Sequence, residues 1–135
     1  MNRTGCIHPA LMSALSLCGH GDKILIAGGN YPLESRCGDP KRIYLGLTAG
    51  IPTVTDVLKV LLKEINVEAA TVMVPEGGEE PAIFSEFREL LPGMELNGIG
   101  RFEFYDTAMD PGVRVAISTG EKRVYANILL TVGVS

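Results

Sequence analysis

Apolar residues recur at helical spacing in three stretches of the chain. The clearest is opened by Pro52 and carries its apolar side chains three and four residues apart, at Val54, Val57, Leu58, Leu61, Leu62 and Ile65. Another runs from about Pro9 to Cys18, and a third begins near Pro81. Proline suits the first turn of a helix, where its missing N–H is not needed. The spacing therefore predicts three amphipathic helices.

Short apolar or alternating runs between and after these helices predict strands. Two of them, Lys23–Ala27 and Val67–Val74, have the composition of buried strands. Three more are predicted in the last third of the chain: one beginning near Arg101 with Phe102, Phe104 and Tyr105, one over Val113–Ile117, and one over Tyr125–Val132. The segment from Tyr31 to Tyr44 is predicted to be irregular. This alternation indicates a layered α/β fold built as one domain, residues 1–135.

The composition limits the classes of protein to which the chain can belong. Its 135 residues are the length of one domain, and a hydrophobic content of 46% excludes global disorder. A net charge of −4 leaves no basic surface for nucleic acid. No apolar run reaches the length of about 18 residues that a transmembrane helix needs, and the first residues lack the apolar segment of a secretory signal, so we expect neither. Three cysteines, an odd number, favour free thiols in the cytoplasm.

Histidine is the side chain best suited to proton transfer near neutral pH, and the chain contains two. His20 follows Gly19, a predicted helix end, and precedes a strand, so it lies at a surface corner where a side chain can meet a small ligand. The alternative, which the bare pattern favours, is that His20 binds the free carbonyls at the helix end. His8 precedes the first helix and is interpreted as a residue of the entry loop.

Other patterns exclude several kinds of site. Cys6 and His8, like Cys18 and His20, form Cys-x-His pairs, but the ligand spacing of zinc fingers is absent and buried free cysteines are the favoured interpretation. The chain has neither of the glycine-rich phosphate loops G-x-x-x-x-G-K-[ST] and G-x-G-x-x-G. It also lacks the G-x-S-x-G elbow of serine hydrolases. We therefore expect no metal and no nucleotide cofactor.

Tyr125 and Asn127 stand two residues apart at the start of the last predicted strand. On a strand their side chains point to the same face. The phenol and the amide can each donate and accept hydrogen bonds, which suits a polyhydroxylated ligand. The equally favoured alternative is that Tyr125 packs at the end of the strand and that Asn127 forms a hydrogen bond with a nearby residue.

Three short motifs mark the chain from its first helix to its last strand. They are Gly19-His20-Gly21-Asp22, Arg101-Phe102-Glu103-Phe104-Tyr105, and Thr119-Gly120-Glu121 followed by Tyr125-Ala126-Asn127-Ile128-Leu129-Leu130. In this order and spacing they resemble the D-ribose pyranase / L-fucose mutarotase family. The resemblance covers the chain from about Pro9 to its last residues.

The resemblance implies a compact three-layer α/β domain with a central mixed sheet and helices on its faces, assembled into a ring, most often a decamer and in some members a dimer. It implies an enzyme without cofactor that interconverts ring forms or anomers of a free monosaccharide. His20 matches the family's acid/base histidine, and Arg101 matches a sugar-binding position of the fucose branch. Tyr125, Ala126 and Asn127 match the C-terminal sugar-binding triplet.

One position departs from the family pattern. The family places an aspartate that binds the sugar at the position occupied here by Gly28, which leaves a predicted substrate site without its strong hydroxyl acceptor. Two alternatives follow. Another residue takes over the contact with the sugar, and Asn30 is the nearest polar one. Or the chain is a monosaccharide-binding protein, such as a sensor or transport accessory, with weakened or no catalysis.

The motifs also divide between the two branches of the family. Arg101 and the residues after it are similar to the fucose branch, whereas Ala126 is closer to the ribose branch. Arginine changes the charge and the donor pattern of a pocket more than a methyl group does. We therefore predict L-fucose as the substrate, with D-ribose as the alternative, and His20 as the proton shuttle.

Overall fold

The structure, a computed structural model, describes residues 1–135 and contains four helices and six strands. The helices are α1 (Pro9–Ser16), α2 (Val54–Leu61), α3 (Ile83–Leu90) and α4 (Arg101–Ala108). The strands are β1 (Lys23–Ala27), β2 (Lys41–Tyr44), β3 (Val67–Met73), β4 (Leu96–Ile99), β5 (Val113–Ser118) and β6 (Ile128–Val132). None of the helices combines the length and the hydrophobicity needed to traverse a bilayer.

Side-chain caps fix where the first two helices begin. At α2 the Thr53 hydroxyl accepts a hydrogen bond from the N–H of Asp56 at 3.1 Å, and the Asp56 carboxylate accepts one from the N–H of Thr53 at 2.9 Å. At α1 the Nδ1 atom of His8 accepts from the N–H of Leu11 at 3.1 Å, so this entry-loop histidine is the N-cap. A good N-cap stabilises a helix by about 1 kcal/mol.

The six strands form one mixed sheet in the order β2-β5-β1-β6-β3-β4. Strand β6 is antiparallel to both of its neighbours, β1 and β3, and every other pair of neighbours is parallel. The carboxyl ends of the parallel strands therefore meet the amino end of β6 at one edge of the sheet. At the opposite edge, the segment before β1 meets the end of β6.

Helices lie on both faces of the sheet, which confirms the predicted three-layer α/β fold. Helices α1, α2 and α3 cover one face over a core of 23 buried residues. Helix α4 and the segment 31–37 cover the other face, with 12 buried residues. Within β1, Ile24 and Ile26 pack on the first face and Leu25 and Ala27 on the second, as strand geometry requires. A strand buried on both faces is apolar throughout, which explains the apolar run over Lys23–Ala27.

The predicted strand beginning near Arg101 is wrong, because this segment is helix α4. A strand would place Phe102 and Phe104 on one face, yet Phe102 is 68% exposed and Phe104 is fully buried. Phe104 and Ala108, four residues apart, share the buried side of the helix. Phe102 and Phe104 alternate with polar residues as they would in a strand, although the segment is helical as far as Ala108.

Three further strand assignments differ from the prediction. The last strand begins at Ile128 instead of Tyr125, because Tyr125 has a φ of 57° and cannot continue a strand. The segment predicted as irregular contains β2, a four-residue edge strand with only Ile43 buried. Strand β4, also at an edge, was not predicted, since it includes Asn97 and Gly98 and has no buried residue.

Candidate active site

A cleft of 240 Å³ opens at the edge of the sheet where the carboxyl ends of the parallel strands meet the amino end of β6. Open α/β sheets bind their ligands at this edge. The lining comes from the turn after β1, the end of β3, helix α4 and the loop before β6: Gly28, Asn30, Tyr31, Met73, Arg101, Tyr105, Arg123, Val124, Tyr125 and Asn127. Of the five predicted substrate-binding residues, four lie in this cleft, and Ala126 does not.

Gly28 and Asn127 face each other across the cleft floor. The N–H of Gly28 donates to Oδ1 of Asn127 at 2.9 Å, and Asn127 is only 6% exposed. The oxygen of Asn127 accepts this bond, and its donor group Nδ2 has no partner in the protein and is free for a ligand. A Cβ at position 28 would lie 3.1 Å from the carbonyl oxygen of Ala126. Glycine therefore allows the turn after β1 to approach the loop before β6 closely.

Tyr125 adopts the left-handed conformation that non-glycine residues rarely take, with a φ of 57°. Such a conformation costs of the order of 1 kcal/mol and persists where the surroundings hold it. It brings the Tyr125 side chain into the cleft although the residue is not part of β6. The next residue, Ala126, is 1% exposed and packs in the core instead of lining the cleft.

Arg101 stands at the start of helix α4 and is held in the cleft by aromatic side chains. Its Nε donates to the hydroxyl of Tyr105 at 3.0 Å, and its guanidinium carbon lies 5.5 Å from the centre of that ring and 5.4 Å from the ring of Phe102. The hydrogen bond that Arg101 donates to Tyr105 raises the pKa of Arg101 above its usual value, so the group stays charged. No carboxylate lies within 4.0 Å, which leaves the two terminal nitrogens free for a ligand.

Arg123 also lines the cleft, but its charge is compensated. Its Nη1 binds Glu86 of α3, and its Nη2 lies 3.0 Å from the carboxylate of Glu121. Glu121 is 4% exposed; burial acts to raise its pKa, but hydrogen bonds from Arg123 outweigh burial and hold that pKa below the usual range. The ion pairs fix one wall of the cleft to α3, and Arg101 remains the cation that is free to bind.

His20, the predicted catalytic residue, lies outside this cleft. It precedes β1, whereas the cleft follows β1, and a strand of five residues separates the two by about 16 Å. At that opposite edge Nε2 of His20 lies 3.1 Å from a carboxylate oxygen of Glu68, and the His20 side chain is 58% exposed. The alternative interpretation, that His20 binds the carbonyls at the end of α1, is not what the structure shows. Within one chain, His20 is an exposed residue paired with Glu68.

The cysteines form neither disulfides nor a metal cluster. Cys6 and Cys37 are buried and Cys18 is partly buried, and all three are free. The thiol of Cys18 points to the carbonyl of Ala14 within α1, and burial raises its pKa. Nowhere do three or more histidine, cysteine or acidic side chains gather in a geometry that could hold a metal ion.

Five residues of the cleft lining were not predicted at all: Tyr31, Met73, Tyr105, Arg123 and Val124. A sixth, Asn30, was named only as an alternative for the missing aspartate. Tyr105 stands four residues after Arg101, so a helical interpretation of that motif would have placed the two side chains together. Arg123 belongs to a run of charged residues that is typical of a solvated turn. Its position depends on pairing with Glu86, a contact over 37 residues that no local pattern indicates.

These features define a small α/β protein with a polar cleft at the strand ends, lined by phenols, amides and one free guanidinium. The chain belongs to the RbsD / FucU transport protein family, whose model matches residues 1–135.

Comparison with individual proteins gives the same family. A D-ribose pyranase of Variovorax paradoxus is 34% identical over 100% of this chain and 99% of its own length, and one of Streptomyces coelicolor is 33% identical over 99% and 98%. Among solved structures, Bacillus subtilis RbsD complexed with D-ribose is 28% identical, with a TM-score of 0.87 over 100% of this chain and 99% of that chain. The fucose mutarotase of Streptococcus pneumoniae in complex with L-fucose is 27% identical, with a TM-score of 0.84 over the same shares.

Proposed function

We propose that the protein is an isomerase of the aldose mutarotase type that interconverts anomers or ring forms of a free monosaccharide. L-Fucose is the first candidate substrate and D-ribose is the second. The main supporting observation is that one polar cleft is lined by Gly28, Arg101, Tyr125 and Asn127 together. The sugars bound in the two solved relatives support a monosaccharide as ligand. The names of the sequence relatives favour D-ribose, whereas the free guanidinium of Arg101 keeps L-fucose as the first candidate.

The lining suits a molecule that carries several hydroxyl groups. The Nδ2 group of Asn127 donates to a hydroxyl oxygen, and the phenol of Tyr125 both donates and accepts. Arg101 donates to the ring oxygen or to an exocyclic oxygen. These contacts orient the sugar without any metal or cofactor.

Ring opening requires two proton transfers. The anomeric hydroxyl loses a proton, the ring oxygen gains one, and the bond between C1 and the ring oxygen breaks to give an open-chain aldehyde. Rotation about the bond next to C1 and the reverse steps then give the other anomer or ring size. Placed acid/base groups accelerate such steps by a factor of about 100 to 10,000. The cleft lining contains no histidine and no carboxylate, and its phenols are less suited to proton transfer near neutral pH, so we propose a proton carrier from outside it.

His20 is the proposed proton carrier, and a second copy of the chain supplies it. An imidazole can both accept and donate a proton near neutral pH, which suits both directions of transfer. His20 lies at the opposite edge of the sheet from its own cleft, but it is exposed and can enter the cleft of a neighbour. Its partner Glu68 orients the imidazole through Nε2 and leaves Nδ1 free.

Exposed apolar side chains at both edges support this assembly. At the cleft edge, Val124 lines the cleft and is 67% exposed, and Phe102, also largely exposed, lines the adjoining depression. At the opposite edge of the sheet, where His20 lies, Leu17 is 74% exposed and Val134 is 70% exposed. When the cleft edge of one copy contacts the His20 edge of the next, the same contact repeats from copy to copy. The copies close into a ring when the rotation that relates neighbours completes a full turn. A ring, a decamer first and a dimer second, is therefore the proposed assembly.

Anomer exchange measured by NMR saturation transfer tests the activity. L-Fucose and D-ribose are each followed at their anomeric protons with and without the full-length protein. We expect the protein to accelerate anomer exchange of one of the two sugars, and the variant His20→Ala to lose this acceleration. His8→Asn, which retains an N-cap at the other histidine, is the matched control and keeps the activity. A folded His20→Ala variant with unchanged exchange would contradict the role of His20.

Mixing two inactive variants tests whether His20 acts in the neighbouring cleft. His20→Ala retains an intact cleft and Arg101→Ala retains an intact histidine. When subunits of the two exchange at equal amounts, about a quarter of the sites combine both native residues if each site is shared between copies. We therefore expect recovery of about a quarter of the native rate per site. Without subunit sharing, the mixture stays inactive.

A monosaccharide-binding protein without catalysis is the second candidate function. The observation that favours it is the absence of any carboxylate from the cleft lining, with Gly28 at the family's aspartate position. Saturable sugar binding without faster anomer exchange would identify this case. In both cases we propose the cytoplasm as the location, where the reducing environment keeps the three thiols free.

A further inference from the structure

The cleft contains two asparagine side chains whose amide groups are fixed in opposite orientations. Asn127 accepts a hydrogen bond from the N–H of Gly28 through its oxygen and has its nitrogen free. Asn30 donates from Nδ2 to the carbonyl of Lys122 at 3.2 Å, and its oxygen Oδ1 has no protein donor. A backbone N–H can bind only the amide oxygen and a backbone carbonyl only the amide nitrogen, so the two partners determine both orientations.

The free oxygen of Asn30 is chemically distinct within the cleft. Arg101 and Arg123 are donors only, and the hydroxyl groups of the tyrosines both donate and accept. No carboxylate lines the cleft, and the oxygen of Asn127 already accepts a hydrogen bond from Gly28. Oδ1 of Asn30 is therefore the one amide oxygen of the lining that accepts no hydrogen bond from the protein.

We propose that Asn30 is a further substrate-binding residue, whose Oδ1 accepts a hydrogen bond from a sugar hydroxyl while Nδ2 of Asn127 donates to another. This inference rests on the proposed function, since it assigns a role in binding the same monosaccharide. The two amides then recognise one hydroxyl as a donor and one as an acceptor, and Asn30 supplies an acceptor on the turn that begins at Gly28.

Two substitutions at this position separate binding from support of the loop. Asn30→Ala removes both the acceptor and the bond to Lys122. Asn30→Asp keeps an acceptor oxygen but loses the donor to Lys122, so it breaks the same loop contact. Asn97→Ala is the control, because Asn97 is an exposed asparagine of β4 that lies outside the cleft.

The measurements are kcat and KM for anomer exchange and Kd from ligand-observed NMR, with L-fucose and D-ribose as probes of the full-length protein. We expect Asn30→Ala to raise KM and Kd by about three- to tenfold with kcat within about twofold, the loss of one hydrogen bond. Asn30→Asp is expected to stay within about twofold of the native Kd or to bind more tightly, because a charged acceptor is stronger. Asn97→Ala is expected to match the native protein.

Two outcomes would overturn the role of Asn30: equal weakening by Asn30→Ala and Asn30→Asp, which indicates loop support, or no weakening by Asn30→Ala. Failure of the proposed catalysis gives a different result. If the native protein binds a sugar without accelerating exchange, the proposed activity fails, and the Kd values still decide the role of Asn30. If the native protein binds neither sugar, both proposals are wrong.

Discussion

The side-chain oxygen of Asn127 lies 2.9 Å from the backbone nitrogen of Gly28, in a buried hydrogen bond between residues 99 positions apart. The bond joins the turn after β1 to the loop before β6, which are two walls of the cleft. It also uses the amide oxygen and leaves the amide nitrogen without a partner in the protein. One contact thus shapes the cleft and determines part of its hydrogen-bonding pattern.

Removal of that contact is expected to lower stability. In Asn127→Ala the buried N–H of Gly28 loses its acceptor, and we expect the free energy of unfolding to fall by about 1–3 kcal/mol. Asn66→Ala breaks an exposed bond of the same type and should cost less than about 0.5 kcal/mol. Urea denaturation of both variants measures the difference. Equal losses in the free energy of unfolding would mean that the buried bond to Gly28 contributes no more to stability than the exposed one.

Tyr105→Phe tests how Arg101 is held. The ring keeps its packing against Tyr31, 5.5 Å between centres, but the acceptor for Nε of Arg101 is lost. We expect stability within about 1 kcal/mol of native and a KM for sugar raised by about three- to tenfold, because the guanidinium loses one hydrogen bond that orients it. Tyr44→Phe, at an exposed tyrosine at the end of β2, is the control and should leave KM unchanged. An unaltered KM in Tyr105→Phe would show that ring contacts alone position Arg101.

Glu121 is expected to make stability depend on pH in the acid range. Its pKa in the folded protein lies below the usual value of 4.5, because the hydrogen bonds from Arg123 outweigh burial. A carboxyl group with a lowered folded pKa stabilises the protein above its unfolded pKa, and this contribution is lost as pH falls through the folded pKa. We expect Glu121→Gln to be less stable than the native protein above about pH 5, with the difference shrinking below about pH 4.3. Denaturation midpoints measured from pH 3 to pH 7 check this; a constant difference throughout would exclude the ion pair as its cause.

Gly120 is expected to tolerate no side chain. A Cβ at this position would lie 2.5 Å from the carbonyl oxygens of Thr48 and Ile51, which are backbone atoms and cannot turn aside. We expect Gly120→Ala to lower the free energy of unfolding by about 2 kcal/mol or more. At Gly19 a Cβ would have its nearest contact at 4.0 Å, so Gly19→Ala is the control. A thermal melt in which both variants match the native protein would refute the close packing at Gly120.

The sequence predicted those parts of the fold in which local pattern and tertiary burial agree. Helix α2 has apolar side chains at helical spacing and is capped by Thr53, and strand β1 is apolar because both of its faces are covered. The prediction failed where they disagree. Helix α4 has exposed Phe102 beside buried Phe104 and Tyr105, so its apolar residues show no clear helical side. Edge strands β2 and β4 bury little and leave hardly any pattern.

The candidate site was predictable to the extent that its residues occur in short motifs. Gly28, Arg101, Tyr125 and Asn127 lie in the cleft. Arg123 was not predicted as a site residue, and Asn30 was named only as an alternative for the missing aspartate. The orientation of each depends on a partner far away in sequence, Glu86 for Arg123 and a main-chain carbonyl for Asn30. The distance between His20 and the cleft follows from the direction of β1, which no residue pattern determines.

The position of β6 has a consequence for how the chain folds as it is synthesised. This strand lies in the middle of the sheet, between β1 and β3, yet it is the last of the six strands in chain order. Until it emerges from the ribosome, β2, β5 and β1 have no connection to β3 and β4, and the exposed edges of β1 and β3 are open to pairing with other chains. The sheet therefore closes only once β6 has been made, and loss of this strand would separate the sheet into two halves instead of trimming one end.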